Sequence, residues 1–155
     1  MQTITVKSES AEQTKQIGQT IGSKLSGGEL FEFKSDLGGG KTTFVSGLAK
    51  GFGSPDPVAS PSFTISYVYT RSDGKQLHHF DFYRLDDPGV VAQELAEAEG
   101  DQDVVVAVEW GEIVHSVLPQ ERVLVTIEAG EGEERSISFK FTPNFAYLFT
   151  QLEQS

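Results

Sequence analysis

The chain has 155 residues, 37% of them hydrophobic and 10% aromatic, enough for one ordinary core and hence a single domain over residues 1–155. Its 23 acidic residues against 12 basic ones leave a net charge of −11, which excludes sequence-blind binding to a nucleic-acid backbone except through a local basic patch or a protein partner. The absence of cysteine excludes disulfides, thiol catalysis and cysteine-held zinc or iron–sulfur centres. No signal-peptide pattern opens the sequence, and no stretch approaches the ~20 apolar residues of a membrane span. A soluble, cytoplasmic protein is expected, without membrane attachment.

In chain order, Thr3-Ile4-Thr5-Val6 alternates and reads as a strand. Ser8 or Ser10 then caps a helix in which Ile17, Ile21 and Leu25 recur every four residues, and Gly27-Gly28 ends it. The segment Ser10 to Thr14 either caps this helix alone or also lies over the base of a nucleotide.

Leu30, Phe31 and Phe33 form the next apolar strand, a glycine run breaks it, and Thr42 to Lys50 restarts as a helix through Phe44, Val45 and Leu48. The loop between them fits the phosphate-binding pattern G-x-x-x-x-G-K-[ST] at Gly40, Lys41 and Thr42, with Ser35 in the first glycine position. Glycines there, Gly38, Gly39 and Gly40, let backbone N–H groups approach phosphate oxygens, and the helix adds its positive end. Lys41 is expected to reach the β- and γ-phosphates, the Thr42 hydroxyl to bind Mg²⁺, and Thr43 to continue the cradle. Serine at position 35 is harmless if the chain enters the loop with negative φ and costly otherwise.

Lys50 to Pro57 is a stop and turn, after which Val58 to Thr64 carries Ser60, Ser62 and Thr64 around Pro61. Those hydroxyls either contact the γ-phosphate or its metal, as switch segments do, or belong to a polar loop entering the strand Ile65 to Thr70. Ser72-Asp73-Gly74-Lys75 signals a hairpin into Gln76 to Leu85. On that strand Phe80 and Phe82 share one face, and His79, Asp81 and Tyr83 the other. Asp81 is a candidate to orient an attacking water or to ligate Mg²⁺ through water; Arg84 could meet a phosphate or a partner.

Asp87-Pro88 caps a helix from Gly89 to about Glu99. The run Val104-Val105-Val106-Ala107-Val108 does not alternate, as in a parallel strand buried on both faces, and Glu109 closes it where α/β sheets bind ligands. Glu109 is the candidate second carboxylate of a phosphate-loop ATPase. Trp110 is either core or the lining of a nucleotide pocket. A short helix over Glu112 to Leu118 precedes two alternating strands, Arg122 to Glu128 and Ser136 to Phe141, joined as a hairpin. Arg135, at the tip, either reaches a nucleotide or is a turn residue. Phe145, Leu148, Phe149 and Leu152 space as a C-terminal helix.

Four strings in this order, Ser-Asp-Leu-Gly-Gly-Gly-Lys-Thr-Thr at 35–43, Ser-Pro-Ser-Phe-Thr at 60–64, His-Phe-Asp-Phe-Tyr-Arg-Leu at 79–85 and Val-Glu-Trp at 108–110, resemble the TsaE family over nearly the whole chain. The sequence departs from the family pattern at Ser35, Gly39, Ser62 and a few aromatic positions. The resemblance implies a small bacterial ATPase using ATP and Mg²⁺. It implies work with TsaB and TsaD in placing threonylcarbamoyl on adenosine 37 of tRNAs reading codons that start with A, the tRNA being handled by a partner. It also implies that Lys41 holds phosphate, Thr42 and Glu109 serve the metal, Asp81 takes part in hydrolysis, Ser60 to Thr64 act as a switch-like loop, and Trp110 stabilises the site.

The expected architecture is α/β, a three-layer P-loop fold whose mixed, largely parallel sheet is flanked by helices and ends in an antiparallel hairpin. Its buried centre is expected at the strand before the loop and at Val104 to Val108. The expected activity is ATP hydrolysis, slow alone and stimulated by partners. The other class that the residues allow is a nucleotide-gated protein-binding module in which hydrolysis is incidental; a kinase lacks any evident acceptor motif or arginine-bearing lid.

Overall fold

The computed structural model describes residues 1–35, 40–54, 66–81, 95–98, 100–109 and 121–152. Seven strands form one sheet in the order β1-β7-β6-β2-β5-β4-β3. They are β1 (Gln2–Ser8), β2 (Leu30–Ser35), β3 (Ser66–Thr70), β4 (Gln76–Asp81), β5 (Val104–Glu109), β6 (Val123–Ala129) and β7 (Arg135–Phe141). The four central strands β6, β2, β5 and β4 are parallel, while β1, β7 and β3 join them antiparallel. The sheet is therefore mixed with a parallel middle, and β2 and β5 lie at its centre. Every residue of β5 is buried, which is why its valines run without alternation: a strand covered on both faces has no side to give to water.

Helices α1 (Ala11–Gly22) and α2 (Lys41–Phe52) pack on the face that carries Phe31, Phe33, Val105, Ala107 and Phe139. Ser10 caps α1, its hydroxyl accepting from the Gln13 N–H. The two helices meet through glycines at four-residue spacing on both partners. A Cβ at Gly18 would stand 2.4 Å from the Phe44 carbonyl oxygen, at Gly22 2.2 Å from that of Leu48, at Gly47 2.0 Å from that of Lys15, and at Gly51 2.1 Å from that of Gln19. Interior glycine normally costs a helix ~1 kcal/mol relative to alanine. Here it is what allows the backbones to touch.

At the end of the sheet away from the loop, Glu29 is buried and accepts from the Ser26 and Gly27 N–H groups, the Ser26 hydroxyl and the Tyr147 phenol. Burial, reinforced by that carboxylate, pushes the Tyr147 hydroxyl above the usual tyrosine range. Glu32 is buried in β2 and paired with Arg122, 3.0 Å away. The β3–β4 hairpin turns through Gly74 at φ 92°, and Arg71 and Asp73 clasp across it at 2.7 Å.

The apolar spacing after Thr142 produces a 3₁₀ helix, Pro143–Phe149, in place of an α-helix reaching Leu152. Pro143 starts it, and at three residues per turn Phe145 and Leu148 stack on one face of so short an element; both are buried, as is Phe149. Residues 95–98 are helical, within the expected helix from Gly89. The remainder of that helix, the segment with Ser60 and Thr64, the short helix after Glu112, and Gly38, Gly39, Arg84 and Trp110 lie outside the described residues.

Candidate phosphate-binding site

The site is assembled by the alternation of strand, loop and helix at the carboxyl ends of the parallel strands. Ser35 is the last residue of β2 and is aligned with Ile127 of β6. It is thus a strand residue, in extended backbone that any side chain adopts, and no glycine is required at this departure from the motif. Gly40 is the residue that needs glycine. It stands before α2 at φ 103°, in the left-handed region that other residues rarely occupy, and its carbonyl accepts the first helical bond, from Phe44.

Lys41 opens α2 and is nearly buried. Its Nζ lies 3.6 Å from Glu109 Oε1. The partner carboxylate comes from β5 because β2 and β5 are adjacent and parallel, with Phe33 aligned to Glu109, so the residue that closes β5 faces the start of α2. Thr42 is exposed at the second position of the helix and Thr43 half-buried at the third. Asp81 is aligned with Glu109 across β4 and β5, which brings the backbones of the two acidic candidates side by side at one sheet end.

Two side chains join this group from directions that local spacing does not reveal. His79 is fully buried on β4, with Nε2 2.5 Å from Glu109 Oε2. Arg135 is the first residue of β7, paired with Ala129 and with Ser8, and not a turn residue. Its guanidinium donates to the carbonyls of Gly132 and Glu134 at 2.9 and 2.7 Å, and its Nε would be 3.4 Å from a Cβ at Gly40. The β6–β7 hairpin thereby carries a cation onto the loop. On the same side, Glu133 accepts from the Ala11 N–H at the start of α1, and Ser8 and Thr14 share a buried hydroxyl bond of 2.6 Å. Thus Gly40, Lys41, Glu109 and Arg135 are gathered in one place. Among the described residues no cluster of three His, Cys, Asp or Glu side chains could by itself hold a metal ion, and no helix is long and apolar enough to cross a membrane.

The chain is similar in fold and sequence to solved and curated proteins. The crystal structure of Bacillus subtilis YdiB superposes with a TM-score of 0.73 at 30% identity, covering 95% of this chain and 91% of that one. The tRNA threonylcarbamoyladenosine biosynthesis protein TsaE of Bacillus subtilis is 36% identical over 136 residues, 86% of this chain and 82% of the relative. That of Treponema pallidum is 36% identical over 136 residues, covering 84% and 96%. The family described as threonylcarbamoyl adenosine biosynthesis protein TsaE matches residues 8–137. With its profile extending from the end of β1 into β7, and relatives matched over most of both lengths, the chain belongs to the TsaE family.

Proposed function

We propose that the chain is a Mg²⁺-dependent ATP hydrolase that works with TsaB and TsaD in the N6-threonylcarbamoyl modification of adenosine 37 in tRNAs reading codons that start with A. The observation that carries this reading is Lys41, at the head of a helix entered through a left-handed glycine, facing the buried carboxylate of Glu109 on the neighbouring strand. A helix start of this kind gathers phosphate oxygens on backbone N–H groups. A carboxylate beside it serves the far end of the phosphate chain.

The donor chemistry fits magnesium. The exposed Thr42 hydroxyl and the Glu109 carboxylate are hard oxygen donors, the type this ion prefers, and too few to form an all-protein cage. Held by Thr42 and Glu109, the ion would supply neutralisation of phosphate charge. Lys41 turns from Glu109 to the β- and γ-phosphates, Gly38, Gly39 and Gly40 leave the backbone open to them, and Thr43 extends the cradle. Asp81, aligned with Glu109, orients the attacking water. Arg135 covers the nucleotide from the hairpin side. The hydroxyls of Ser60 and Thr64 are assigned to the γ-phosphate or its metal, and the ring of Trp110 to the nucleotide. The tRNA is reached only through the partner complex, in keeping with the net charge of −11.

The test is steady-state ATPase activity of the purified chain, with and without the TsaB–TsaD pair, with Lys41→Ala as control. Slow turnover that the pair raises, and that drops ~100-fold or more in the control, is expected. ATP binding without stimulated turnover would favour the nucleotide-gated module. Turnover undiminished in Lys41→Ala would remove the assignment.

A further inference from the structure

The two oxygens of the Glu109 carboxylate are divided between partners: Oε1 faces Lys41 at 3.6 Å and Oε2 faces His79 Nε2 at 2.5 Å. A carboxylate accepts only, so Nε2 carries the hydrogen of this bond. His79 Nδ1 meets no hydrogen-bond partner among the described residues, which leaves Glu109 as the polar anchor of the ring there. Among the described residues, the neighbours that flank the ring along β4 and across to β5 on this face include Leu77 and Ala107, both fully buried. Burying an imidazole among them costs free energy that an aliphatic side chain would avoid. The polar ring is therefore explained by what it holds.

We infer that His79 is a positioning residue for hydrolysis. Its Nε2–H fixes the Glu109 side chain through Oε2, so that Oε1 stays presented to the head of α2 when Lys41 leaves for phosphate. Without the ring, Lys41 is the one other ion-pair partner of Glu109 among the described residues, and the carboxylate would follow the lysine or turn away. A ligand's orienting partner is typically worth 10- to 100-fold in metal affinity or activity. The inference rests on the nucleotide-hydrolysis reading above.

Two variants separate support from mere packing. His79→Leu keeps the volume and removes the donor; His79→Gln places an amide N–H near the position of Nε2. For folded proteins, checked by thermal unfolding, kcat and nucleotide Kd are measured, together with Mn²⁺ affinity of the ADP complex by electron paramagnetic resonance, in the native and Glu109→Gln backgrounds. His79→Leu is expected to lower kcat ~10- to 100-fold and to weaken Mn²⁺ comparably, with nucleotide Kd within about twofold; His79→Gln recovers most of both. In the Glu109→Gln background the leucine substitution should add no further loss of Mn²⁺. Full kcat and Mn²⁺ affinity in folded His79→Leu, or an equal loss of Mn²⁺ in both backgrounds, would overturn the inference. Should His79→Leu not fold, imidazole ¹⁵N spectra of the unmutated protein decide: hydrogen on Nε2 that responds to Glu109→Gln supports the inference, and hydrogen on Nδ1 alone overturns it. Failure of the unmutated protein to bind ADP would instead bring down the nucleotide reading itself.

Discussion

Lys41 Nζ and Glu109 Oε1 stand 3.6 Å apart with both side chains nearly withdrawn from water, so the cation proposed to bind phosphate is engaged by a carboxylate of the protein. On the proposed function, an incoming nucleotide would compete with that carboxylate. Glu109→Gln keeps the shape and removes the charge, and should tighten metal-free ADP binding a few-fold, on the order of 1 kcal/mol. The same variant should lose ATP turnover by ~100-fold or more. Isothermal titration and a steady-state assay check the pair of outcomes; weaker ADP binding with intact turnover would refute the competition.

The glycine contact between α1 and α2 predicts an inversion of the usual helix rule. Gly47→Ala would ordinarily add ~1 kcal/mol through propensity. With the new methyl 2.0 Å from the Lys15 carbonyl oxygen, it should instead cost ~3 kcal/mol, through overpacking against backbone that cannot rotate away. Urea denaturation of Gly47→Ala, read against an alanine substitution at exposed Glu12, measures the sign.

At acid pH the β3–β4 turn should weaken. The hydrogen bond from Arg71 lowers the Asp73 carboxyl to about 2, below its unfolded value of ~3.9. A depressed folded value means that the unfolded chain binds the proton first, so this contribution is present above pH ~4 and is lost as pH falls towards 2. Asp73→Asn should therefore be less stable than the unmutated protein at pH 7, by an amount that shrinks as pH falls through 2. A gap undiminished at pH 2 would assign the effect to the turn's backbone.

At alkaline pH the opposite linkage holds at Tyr147, whose hydroxyl is raised by burial and then by Glu29. The unfolded chain loses its proton near pH ~10 while the folded chain keeps it, so stability falls as pH rises above that point. Tyr147→Phe has no proton to lose. Its stability should lie below that of the unmutated protein at pH 8, where the bond to Glu29 is intact, and decline less steeply above pH 10 in equilibrium unfolding.

Much of this architecture was readable because the informative patterns are local. The unbroken valines of β5 announce a strand covered on both faces, Asp73-Gly74 a hairpin, and Gly40-Lys41-Thr42 the loop at the head of α2, and each is where the sequence places it. What escaped depends on register between distant strands. His79 meets Glu109 because β4 lies in parallel register on β5, with His79 opposite Ala107 and Asp81 opposite Glu109, and no window of neighbouring residues contains that alignment. Arg135 reads as a turn residue until β7 is paired with both β6 and β1. The glycines at 18, 22, 47 and 51 were visible at four-residue spacing, yet each alone argues against a helix; their purpose appears only when the helices are set together. Buried Glu29 and Glu32 gave no warning, since a carboxylate in a strand or at its edge normally signals exposure.

The strand order also sets a schedule for synthesis. β1 leaves the ribosome first but, among the described residues, pairs only with β7, so Val6 waits for Ile137. β2, which leads into the loop, is flanked by β5 and β6 and has no sheet partner until Val104–Glu109 and then Val123–Ala129 have emerged. Because such long-range pairings form late and slowly, a nascent chain cannot hold a nucleotide until most of it has been translated. Nucleotide capture by ribosome-bound chains of increasing length would serve as a clock of completed folding.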